Sequence, residues 1–176
     1  MILSRRVTRP PLVVVFVAVL LLALGASAGA VMGKLRPETE RYARARVAAN
    51  APAHGLTGSA EYDDEVIARA VFSAEAGLSF FHTHAQGLPP IVLLAGTLVA
   101  TCVPWRRCRG ILQTLLAAGA LFPLGYLVYA LAVLEVGRDA GVALAERWVL
   151  TPLGSLVIVA LLGLVTALAR GRSRAA

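Results

Sequence analysis

Four stretches of this sequence, 11–32, 84–105, 111–134 and 148–169, contain no Asp, Glu, Lys or Arg. An α-helix needs about 20 apolar residues to cross a hydrocarbon core of roughly 30 Å, and each stretch is long enough to do so. With no water in that core to satisfy the backbone, the stretches must form helices whose hydrogen bonds are internal. The composition, 58% hydrophobic and 15% charged over 176 residues, belongs to the same class of polytopic membrane protein. The expected fold is all-α: an integral membrane bundle of four transmembrane helices with a partly helical extracytoplasmic loop.

The charges give the orientation. Arg5, Arg6 and Arg9 precede the first span, Arg106, Arg107 and Arg109 fill the turn between the second and third, and Arg170, Arg172 and Arg174 follow the fourth. All ten acidic residues lie in the other two connections, among the remaining eight basic ones, so one side carries +9 and the other −2. By the positive-inside rule both termini are cytoplasmic. The order is then a cytoplasmic N-terminus 1–10, a first span 11–33, an extracytoplasmic loop 34–81, a second span 82–105 and a cytoplasmic turn 106–110. A third span 111–134, an extracytoplasmic loop 135–147, a fourth span 148–169 and a cytoplasmic tail 170–176 follow. The expected location is a bacterial inner or plasma membrane. Because the basic residues flank spans and are not gathered on a soluble domain, nucleic acid is not an expected partner. The run Ala26-Ser27-Ala28-Gly29-Ala30 also resembles a signal-cleavage region, but the apolar stretch is longer than a signal core, and the first span is expected to be retained.

Gly25, Gly29 and Gly33 recur at four-residue intervals and fall along one face of the first helix. In lipid, helices associate through close backbone packing, which a glycine face permits. The partner is another helix of this chain, a second copy, or another membrane subunit. In the long loop, Pro37, Glu38 and Glu40 at one end and Arg44 and Arg46 at the other predict a helix up to Ala49, stopped by Asn50 and Pro52. A second helix is expected to start at Ser59 to Glu65 and run through Val71 and Ala76 into the membrane.

The chemistry of the sequence is concentrated at the mouth of the second span, in Phe80-Phe81-His82-Thr83-His84-Ala85-Gln86-Gly87-Leu88-Pro89-Pro90. Ionisable groups at the boundary of a span mark a functional-site candidate. On a helix, Glu75, Ser79, His82 and Gln86 form one polar stripe, whereas His84 lies about 200 degrees from His82, so the pair can bind one ion only if the backbone is irregular. Gly87 to Pro90 offers a place for such a break. Tyr129 is expected near the depth of His84.

Histidine with carboxylate suits zinc, copper or iron. The metal candidates are His82, His84, Glu75, Gln86 and Glu135, with His54 on the same side; a transition metal or haem b is the cofactor class. Such a site would serve metal handling, sensing or electron transfer. Two other readings stand beside it: a non-catalytic accessory or assembly subunit of a larger membrane complex, its histidines anchoring the second span, and a small transporter or proton-conducting protein. No His-Glu-x-x-His motif or phosphate-binding loop occurs, and Gly25-Ala26-Ser27-Ala28-Gly29, which spells Gly-x-Ser-x-Gly, lies inside an apolar helical span and not on a strand-to-helix elbow, so the reading is non-enzymatic.

Overall fold

The computed structural model describes residues 7–173, with side chains through Arg170. Arg5, Arg6 and Arg174 and the side chain of Arg172, which the charge argument uses, lie outside that description. The described elements are all helical: α1 (Leu12–Lys34), α2 (Arg36–Ala49), α3 (Ala51–His54), α4 (Ala60–Cys102), α5 (Arg106–Gly119), α6 (Leu124–Val136), α7 (Arg138–Ala145), a π-helical turn (Glu146–Leu150) and α8 (Thr151–Ser173). Four stretches of helix are long and apolar enough to cross a membrane: Leu12–Lys34, Ala60–Cys102, Arg106–Val136 and Arg138–Arg170.

The helix limits follow local chemistry. Pro37 occupies the first turn of α2, where its missing N–H costs nothing, and Glu38 and Arg46 complement the two ends of its dipole. Asn50 ends the helix, its Nδ2 donating to Arg46 O at 3.0 Å. Gly55, at φ +67, closes α3 in the left-handed region that favours glycine. Ahead of α4 the carboxylate of Asp63 folds back to accept from the N–H groups of Thr57 and Gly58, both at 2.8 Å.

Three expectations change. The helix that starts at Ala60 runs unbroken through Gly87, Pro89 and Pro90, so the irregular backbone expected there does not form. Inside the helix these prolines leave the carbonyls of Ala85 and Gln86 without their i+4 donors, and the turns on either side keep helical geometry. The third span is interrupted between Gly119 and Leu124 by a turn in which Phe122 N bonds to Gly119 O at 3.0 Å. The connection read as loop 135–147 contains α7, which the sequence hid because eight residues, three of them alanine, are too few to show an apolar period.

The chain packs as two compact units. One joins the described residues up to Ala23, Gln86–Phe122 and those from Pro152 onward. Here α5 and α8 approach at Gly119, where a Cβ would lie 2.8 Å from the backbone nitrogen of Val157, and at Gly163, where it would meet Leu112 Cδ2 at 2.8 Å. Val14, Ala18, Val92, Val99 and Leu116 are fully buried in this unit. The other unit joins Leu24–Ala85 and Pro123–Thr151. Its core is Ala43 and Val47 of α2, Ala70, Val71 and Ala74 of α4, and Val133 and Leu134 of α6, with Ile67 and Tyr129 against them. α7 lies tightly on α6: a Cβ on Gly141 would be 2.6 Å from Val133 N.

Candidate functional site

Helical continuity through α4 sends His82 and His84 to different neighbours. His82 Nδ1 lies 2.7 Å from Gly25 O on α1. A carbonyl only accepts, so Nδ1 carries the proton and donates. The same ring rests on Gly29, where a Cβ would come within 2.7 Å of His82 Cε1. Of the three glycines proposed for packing, Gly25 thus supplies an acceptor and Gly29 the space, while a Cβ on Gly33 would meet nothing within 4 Å. His84 turns back along its own helix, with Nδ1 2.8 Å from Phe80 O, and its ring lies against Tyr126 at a centroid distance of 4.8 Å. Phe80 meets the same tyrosine at 5.5 Å. The tyrosine in ring contact with His84 is thus Tyr126, while Tyr129 packs at Gly77.

The remaining candidates also have partners of their own. Gln86 Nε2 donates to Leu22 O at 2.9 Å. Glu75 stands 3.6 Å from Arg36 of α2. Glu135 receives Arg46, whose Nε lies 2.8 Å from Oε1 and whose Nη2 bonds both carboxylate oxygens. That hydrogen bond, more than the charge of the pair, raises the Arg46 pKa above its ordinary value. Asn50 Nδ2 donates to Glu135 Oε2 at 3.2 Å and to Leu134 O at 3.3 Å, and His54 Nε2 reaches Leu134 O at 3.1 Å.

The structure therefore does not bring His82, His84, Glu75, Gln86 and Glu135 together. Among the described residues, no group of three or more His, Cys, Asp or Glu side chains is placed to hold a metal ion. What it builds instead are two ties between helices. One joins α4 to α1 through His82; the other clamps α2 and α3 onto the end of α6 through Arg46, Asn50, His54 and Glu135. Arg46 and Asn50 were missed as site residues. Their spacing of four, which places both on one face of α2, is the only signal of the clamp in the sequence.

No family model, no curated protein and no solved structure matches this chain. The geometry alone carries what can be said of its role.

Proposed function

We propose that the protein is a non-catalytic integral membrane protein, an accessory or assembly subunit of a larger membrane complex, held in a bacterial inner or plasma membrane with both termini cytoplasmic. The charge asymmetry supports the orientation. The observation that carries the reading is the hydrogen bond from His82 Nδ1 to Gly25 O, with the ring seated on Gly29. An imidazole in that position joins two helices through backbone, where in lipid close packing and interhelical hydrogen bonds provide the association. With Nδ1 donating to Gly25 O, the Nε2 lone pair is left over, and among the described residues no group of three or more His, Cys, Asp or Glu side chains is placed to complete a metal shell around it.

The test compares His82→Gln with His82→Ala in protein purified in mild detergent. Gln retains a donor of similar reach, so it should keep most of the thermal stability that Ala loses, while metal content and visible absorption stay the same in all three proteins. A stoichiometric metal or a haem band that disappears equally in both variants would overturn the proposal in favour of a ligand site.

A further inference from the structure

In the unit that contains the start of α1, a groove of about 760 Å³ opens between the chain ahead of that helix, the end of α4 and the start of α5. Three guanidinium-bearing residues line it: Arg9, Arg106 and Arg109. No carboxylate-bearing residue lines it with them, and among the described residues none of the three forms an ion pair. Arg109 is held in place by its own contact, Nη1 to Ala100 O at 3.4 Å. The first turn of α5 adds to the positive field. It has no acidic residue, so no carboxylate of its own offsets the positive end of its dipole.

Part of the lining is apolar. Leu12 and Val13, at the start of a helix long enough to cross a membrane, line the groove and are 76% and 57% exposed. Cationic groups and exposed aliphatic surface in one groove match an amphiphile better than a free ion. An anionic head would sit on the arginines, and an acyl chain would run down α1. Basic pockets between membrane helices on the cytoplasmic side are suited to this, because the anionic lipids lie in that leaflet.

We infer that this groove binds an anionic phospholipid, with the phosphodiester of a phosphatidylglycerol-type headgroup on Arg9, Arg106 and Arg109 and an acyl chain against Leu12 and Val13. The inference rests on the membrane orientation proposed above. If that reading failed, the protein would stay soluble without detergent or would expose residues 106–110 on the outer face of the membrane; if only the lipid site failed, an integral membrane protein without lipid preference would remain.

The experiment follows the thermal midpoint of the delipidated full-length protein in neutral detergent. It is titrated with phosphatidylglycerol, with phosphatidylcholine of the same chains, and with inorganic phosphate. Phosphatidylglycerol should raise the midpoint saturably and the other two should not. Arg9→Gln and Arg106→Gln should each weaken the apparent affinity about fivefold, whereas Arg107→Gln, which removes the same charge outside the groove, should change it less than about twofold. Should Arg106→Gln fail to fold, Arg9→Gln, which precedes the first helix, decides alone. The inference is overturned if phosphate stabilises as well as the lipid, if phosphatidylcholine does so, or if Arg107→Gln weakens binding as much as the groove variants.

Discussion

Arg46 of α2 and Glu135 near the end of α6 meet as a forked pair across 89 positions of sequence, the guanidinium bonding both carboxylate oxygens. Planar guanidinium matches planar carboxylate in two parallel bonds, a geometry that lysine cannot reproduce. Both side chains are about 40% exposed, so the pair is screened by water, and geometry contributes more than charge. Asn50 and His54 then fix the neighbouring Leu134 carbonyl, so one corner of α6 is held by two helices.

Coupling between these two residues is the first expected outcome. Arg46→Ala and Glu135→Ala should each lower the thermal midpoint, and the double variant should lower it by less than the sum. Arg46→Lys should behave like Arg46→Ala, and raising the salt concentration should shrink the coupling. Strict additivity in the double-mutant cycle would show that the two side chains act independently.

Gly29 and Gly33 should respond differently to the same substitution. A Cβ on Gly29 would stand 2.7 Å from His82 Cε1 and 2.9 Å from Nδ1, so Gly29→Leu must displace the ring and break its bond to Gly25. Overpacking of this kind costs about 1–3 kcal/mol. The lost interhelical hydrogen bond adds about 0.6 kcal/mol. Gly33→Leu, with open space at that position, should stay within about 0.5 kcal/mol of the parent. Unfolding in mixed micelles measures both, and equal effects would refute the role given to Gly29.

Gln113 offers a third test, because its two amide atoms have opposite fates. Nε2 donates to Gly96 O at 2.7 Å, while Oε1 is buried with no hydrogen-bond partner among the described residues. Gln113→Leu would give up a bond worth about 0.6 kcal/mol in a membrane setting. It would also remove a stranded acceptor that costs about 1–3 kcal/mol. The second effect is the larger, so Gln113→Leu should be neutral or stabilising. Gln113→Ala, which opens a void, should lose about 2 kcal/mol relative to it. A clear loss in Gln113→Leu would mean that the oxygen has a partner after all.

Much of the local structure was readable in the sequence because its causes are local. Pro37, Glu38, Arg46 and Asn50 bound α2, and each acts within a turn of its own position. The start of α4 at Ala60 follows from the acidic run beside it. The site was less legible. The angular spacing on a helix correctly separated His82 from His84, but it could not say which helix each would face.

The sequence by itself determined the number of helices long and apolar enough to cross a membrane, since in lipid uncharged runs of that length leave the backbone no other way to satisfy its hydrogen bonds. The pairing of side chains was decided only in three dimensions. His82 bonds to a carbonyl of Gly25, Glu135 takes Arg46, and Tyr126 lies against His84. Each of these depends on which helix faces crowd together. Gly29 and Gly77 leave room for a side chain of another helix and Gly141 for its backbone, and spacing along one helix does not say which partner fills that room.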